Sequence, residues 1–98
     1  MRIALKKFGT TLISRQSGKE ALSAFQATLA ALKSDEHLIV DFDGVITFSP
    51  SWGDEFLTPL LNQFGDRLLL LPTHNPSVVM TIQLLEKTQN KKFVVSPS

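Results

Sequence analysis

The 98-residue chain contains no cysteine. That excludes disulfides, thiol nucleophiles and thiolate metal sites together, and it fits a reducing compartment. Long apolar runs are also missing. The longest aliphatic stretch, Leu68 to Leu71, is far short of the ~20 residues that cross a bilayer. The amino-terminal segment Met1 to Lys7 interrupts its few apolar residues with charges, too soon for a signal-peptide apolar region. A cytoplasmic protein without a membrane anchor is the expectation. Charge of one sign is lacking as well: ten basic and nine acidic side chains leave a formal net charge of +1. No basic stripe of the kind that grips nucleic acid is present, and the Lys91–Lys92 pair reads as a solubilising end. No repeat, linker or low-complexity segment interrupts the chain, so residues 1–98 are expected to form one domain, with 96–98 as a short tail.

What is present is an alternation of strand-like and helix-like segments. Residues 2–8 and 10–14 read as two β-prone runs around Gly9, a candidate hairpin. Ser17-Gly18-Lys19-Glu20 has the form of a capping box, and Leu22, Phe25, Leu29 and Leu32 behind it recur at helical spacing. The spacing predicts a helix over 18–33. His37 to Phe42 is apolar enough for a strand covered on both faces, and Asp43-Gly44 is a turn signature. Ser49-Pro50 reads as an N-cap with proline at the first helical position, and Ser51 with Asp54 offers an alternative box. Trp52, Phe56, Leu60 and Phe64 then repeat every four residues, Asp54 and Glu55 are placed in the first turn, and Gly65 terminates the helix. Pro59 lies inside it and should bend it. Arg67 to Leu71 is a further strand. Asn75-Pro76 opens a third helix, with Val79, Ile82 and Leu85 or Glu86 facing inward, to about Gln89. Phe93 to Val95 is a last strand. Strands alternating with helices imply an α/β sandwich with a mixed sheet.

The stretch "LIVDFDGVITFSP" carries two aspartates, Asp41 and Asp43, at the end of a strand and before a glycine. It resembles the first motif of haloacid-dehalogenase-type phosphatases, with Asp41 as nucleophile and Asp43 as general acid. Such chemistry needs Mg²⁺ held by further carboxylates and a cation on the phosphoryl oxygens. Beyond Glu55 only Asp66 and Glu86 remain, one beside a helix-stopping glycine and one within a helix. The alternative of a small phosphatase is therefore disfavoured, and Asp41, Asp43 and Gly44 read as a strand end and turn. His37 and His74 lack metal-ligand spacing, so neither a metal nor another cofactor is expected.

The longer string "HLIVDFDGVITFSPSWGDEFLTPL", with "FGTTLISRQSGKEAL" before it and "NPSVVMTI" after it, is similar to the STAS-like domains of unknown function of bacteria and their phages. That family in turn resembles the STAS domains of anti-sigma factor antagonists. The resemblance implies a mixed four- to five-stranded sheet with about three helices packed mainly on one face. It also implies a non-enzymatic regulatory domain that binds a partner protein, such as a serine kinase or histidine-kinase-like ATPase, through the turn and helix at Ser49, Ser51, Trp52, Asp54 and Glu55. The antagonists' phosphorylated serine aligns with Ser51. The chain departs from them in having Ser49-Pro50-Ser51-Trp52 where an Asp-Ser-Ser-Gly type turn is usual. Trp52 fits a core position by its register and a binding anchor by its neighbourhood. Arg15 reads as a surface arginine or as a partner for the strand-end acids. A nucleotide- or small-ligand-binding module is the other alternative. The sequence sets no oligomeric state.

Overall fold

The computed structural model describes residues 1–97. Strand β1 (Arg2–Ala4) runs into a single 3-10 turn, and β2 (Thr11–Leu12) precedes helix α1 (Arg15–Leu29). Then follow β3 (Leu38–Asp41), β4 (Thr47–Phe48), helix α2 (Pro50–Phe64), β5 (Leu68–Leu70), helix α3 (Pro76–Gln89) and β6 (Val94–Val95). The main sheet has the order β1-β3-β5-β6, and β2 and β4 form a separate two-stranded sheet. The α/β class, three helices and four-stranded main sheet are as expected.

The connectivity differs in one respect. Every ladder is parallel, so the sheet is not mixed and the β1–β2 hairpin does not form. The 3-10 turn buries Leu5 and carries the chain forward instead of back. β1 and β3 are neighbours, part where the 3-10 turn and Asp43-Gly44 intervene, and pair again as β2 and β4. Gly44 serves this interruption with φ of 84°, a conformation that L side chains rarely adopt.

Burial alternates along the strands. Ile3, Leu38, Val40, Leu68 and Leu70 point into the core, while Arg2 and Ala4 are exposed and Ile39 and Leu69 are half-buried. One face of the sheet is therefore covered by the helices and the other is more open, which corrects the expectation that β3 is covered on both faces. The outer edge of β6 is blunted against strand addition. On its outer side the Phe93 N–H is taken by the Glu86 carboxylate at 2.8 Å and Pro97 has no N–H to offer, while the Ser96 N–H continues the inner ladder by donating to Leu70 of β5.

Helix α1 starts three residues earlier than expected. Ser14, not Ser17, is the N-cap, its hydroxyl accepting from the Ser17 N–H at 3.0 Å. Gly18 lies one turn inside the helix and is buried, because a Cβ there would sit 2.7 Å from the Trp52 carbonyl oxygen. This glycine lets α1 and α2 approach closely. Helix α2 packs between α1 and α3. It buries Trp52, Phe56, Leu60 and Phe64 as their spacing requires, and it runs through Pro59. Its end at Gly65 and the start of α3 at Asn75-Pro76 also match the sequence reading. In α3 the buried residues are Val78, Thr81 and Leu85, with Val79 exposed. Leu85 faces inward as expected and Ile82 packs against the edge of the core, but Val78 and Thr81 take the place of Val79, the Thr81 hydroxyl donating to the Phe48 carbonyl at 2.7 Å.

Two substitutions test the one-sided sheet. Phe25→Ala, in the fully packed layer, is expected to cost ~3–5 kcal/mol, and Ile39→Ala, on the more open face, less than about 2 kcal/mol. Urea denaturation of both variants measures the difference, and equal losses would mean that the second face is also sealed.

Candidate functional site

The amino-terminal end of α2 is assembled from three parts of the chain. Ser49 is the N-cap, its hydroxyl accepting from the Trp52 N–H at 3.2 Å. The same hydroxyl donates to the Ile13 carbonyl at the end of β2. Ser49 is thus committed twice, and it ties the helix start to the small sheet. The Ser51–Asp54 box is not used. Ser51, half-buried at the second helical position, makes no side-chain hydrogen bond among the described residues.

Asp54 and Glu55 lie in the second turn of α2, beyond the reach of the helix dipole's strongest effect, which corrects their expected first-turn placement. What holds them is Arg15, whose guanidinium donates to Asp54 Oδ2 and Glu55 Oε1 at 2.9 Å each. The two hydrogen bonds, to Asp54 first and then Glu55, push the Arg15 pKa further up. Arg15 therefore serves the α2 carboxylates and not the strand-end acids. The Asp54 carboxylate also accepts from the Thr58 hydroxyl at 3.0 Å. Arg15, Pro50, Ser51 and Asp54 line a groove of about 260 Å³ whose opposite wall is α3, at Leu84 and Thr88. Leu84 is 43% exposed and supplies an apolar wall. Sequence reasoning missed α3's contribution. The spacing gave no signal for it, because Leu84 falls outside every inward-facing stripe.

Trp52 is 1% exposed. It stacks on Phe56 with ring centroids 4.9 Å apart and meets Phe48 edge-on at 5.7 Å. It belongs to the core, so its side chain does not stand on the surface as the binding anchor expected at the start of α2.

The strand-end aspartates lie elsewhere. Asp41 accepts from Arg2 at 2.8 Å and from the Asp43 N–H at 2.9 Å. Asp43 itself is exposed, ahead of Gly44. The Arg2 hydrogen bond, then the Asp43 amide, hold the Asp41 carboxyl below its ordinary pKa. Among the described residues, no three His, Cys, Asp or Glu side chains gather as a metal site would need. Among the described residues, no helix is long and apolar enough to cross a membrane. The chain matches no protein-family model, no curated protein and no solved structure.

Asp41 gives a pH-dependent expectation. Its folded-state pKa lies below the unfolded one, so its contribution is present above the ordinary carboxylate range and is lost as pH falls through the folded value. Asp41→Asn should be less stable than wild type at about pH 7, with the gap closing toward about pH 3. Urea melts of both proteins across that range check this, and a pH-independent gap would assign the loss to shape alone.

Proposed function

We propose that this chain is a STAS-like regulatory domain that binds a partner protein through the start of α2, with Ser51 as the residue through which that contact is controlled. The supporting observation is the division of labour between two serines. The Ser49 hydroxyl is used as cap and tether. The Ser51 hydroxyl makes no hydrogen bond among the described residues and shares a groove with Arg15, Asp54 and Leu84. A partner seated there meets a serine, an ion-pair cluster and an apolar wall in one footprint. The string around Asp41 and Val45 resembles the strand that precedes the switch serine in anti-sigma factor antagonists. On that resemblance the partner is a regulatory protein of the serine-kinase or histidine-kinase-like ATPase class.

A phosphoryl group on Ser51 would add a charge of about −1.5 to −2 at the helix start. The helix dipole favours an anion there. Asp54 and Glu55 oppose it, and Arg15, already bound to both, offsets part of that opposition. Phosphorylation would thus change the groove's electrostatics while leaving the Ser49 cap intact. The chemistry proposed is binding, not hydrolysis. Asp41, the residue in the position of a phosphatase nucleophile, is engaged by Arg2 and by the backbone of Asp43.

Pull-down from the native cell with mass spectrometry supplies the partner and any modified serine. With that partner in hand, Ser51→Glu, confirmed folded, is expected to weaken binding about tenfold or more, because a fixed charge enters the contact. Ser51→Ala should fold and bind nearly as wild type, since Ser49 and not Ser51 caps the helix. Wild-type affinity in Ser51→Glu would sink the switch. On the enzymatic side, purified protein with Mg²⁺ should not turn over phosphomonoesters above background. Turnover abolished by Asp41→Asn would replace the binding reading with a catalytic one.

A further inference from the structure

Ser51, Asp54 and Glu55 lie in one unbroken stretch of α2. Residues three and four apart are neighbours on a helix surface, with Cβ atoms ~5–6 Å apart. Asp54 and Glu55 therefore flank the line that runs down the helix from Ser51. Helical side chains lean toward the amino terminus, so both carboxylates tilt back toward that serine. Arg15 bridges them, and Arg15, Ser51 and Asp54 line one groove. The guanidinium thus rests about one helical turn from Ser51. Among the residues that line the groove, Arg15 is the one cation.

Both hydrogen bonds of Arg15 leave from the same nitrogen, Nη1, at 2.9 Å each. Nε and Nη2 form the edge that grips a phosphate with two parallel bonds, and they donate to no described residue. The Arg15 side chain is 55% exposed. It is the first residue of α1, ahead of the buried positions that begin at Gly18, so it can turn without disturbing the core. The two carboxylates differ in what they would keep if it did. Asp54 holds the Thr58 hydroxyl on its other oxygen, Oδ1, at 3.0 Å. Glu55 accepts from no other described residue.

We infer that Arg15 is the intramolecular receptor of a phosphoryl group on Ser51: modification draws the guanidinium off Asp54 and Glu55 and leaves Glu55 as an uncompensated carboxylate beside the groove. The inference rests on the reading of Ser51 as the control point, and it names how that control is exerted. In the modification the Ser51 Oγ bonds to the terminal phosphorus of a nucleoside triphosphate held by the partner kinase. The bond to the diphosphate leaving group breaks, and the hydroxyl proton passes to that kinase's base. The phosphate then outcompetes the two carboxylates, because it carries a charge of about −1.5 to −2 and accepts both bonds of the guanidinium fork. A cluster that ties the start of α1 to α2 in the unmodified chain becomes an anionic surface in the modified one.

The test uses the full chain with Ser51 installed as phosphoserine, and no partner. In ¹H–¹⁵N spectra the Arg15 Nε–H signal should move downfield on phosphorylation and exchange more slowly with water. Urea melts of Arg15→Gln with and without the phosphate give the second measurement. In the unmodified chain Arg15→Gln should lower the midpoint by less than about 0.3 M, since partly exposed pairs contribute little. In the phosphorylated chain it should lower the midpoint by ~0.5 M or more, because the phosphate is then left beside two acids with no cation. An Arg15 signal unmoved by phosphorylation, or equal midpoint losses in the two chains, would overturn the inference and leave the phosphate to solvent. If Arg15→Gln does not fold, the spectra of the unsubstituted chain decide alone. Partner binding by Ser51→Glu is a separate measurement. Weakened binding there without coupling between Arg15 and the phosphate sinks this inference alone, and coupling with unchanged binding supports it while sinking the partner reading.

Discussion

The close approach of α1 and α2 at Gly18 and Trp52 is the constraint from which the rest follows. With no Cβ at residue 18, the α1 backbone comes against the Trp52 carbonyl. The indole is then held among Phe8, Phe48 and Phe56, all within 6.1 Å between centroids. Phe25 reaches the same cluster from α1 by stacking near Phe56. Aromatic contacts at offset and edge geometries add modestly to the area they bury. Their larger effect here is to fix the rotation of α2 about its own axis. That rotation decides which residues at its start face inward and which face out.

The charged cluster is a product of the same packing. Arg15 begins α1, and Asp54 and Glu55 lie just past the first turn of α2. Only a short interhelical distance lets one guanidinium reach both carboxylates. Such partly exposed pairs contribute little stability individually. Their consequence is positional: they set the charge beside Ser51 and align one wall of the groove. Ser49 acts from the opposite side by joining α2 to the carbonyl of Ile13. Through these two attachments the free serine between them is displayed at a defined place on the surface.

The two-aspartate strand end shows how a motif depends on surroundings. In a phosphatase the nucleophile faces a metal and a phosphoryl group at the carboxyl end of a parallel strand. Here the same strand end is parallel, yet Asp41 is turned to Arg2 on the neighbouring strand β1. Asp43 and Gly44 then occupy the gap between two stretches of one interrupted ladder. Their spacing serves chain geometry, with the Asp41 carboxylate accepting the Asp43 N–H as the turn begins.

Local features were legible in the sequence wherever a residue's own chemistry fixes them. Asn75-Pro76 and Ser49-Pro50 open helices because the side-chain cap and proline's fixed φ act within a few residues. Gly65 ends α2 through its positive φ, and the four-residue repeat from Trp52 to Phe64 defines a buried face by periodicity alone. The strand at Leu38 to Asp41 and the α/β class follow from the same short-range patterns. Tertiary contacts decided the rest. Whether β1 turns back on β2 or pairs with β3 depends on residues 37 positions away. The choice between Ser14 and Ser17 as cap lay between two chemically equivalent hydroxyls. The inward placing of polar Thr81 on α3 waited on the Phe48 carbonyl being there to accept its hydroxyl. The partners of Arg15, and the burial of Trp52 beside an open serine, were likewise settled only when two helices 15 residues long each met at a glycine. Periodicity can mark a face as apolar, but which neighbour covers it is fixed by packing in three dimensions.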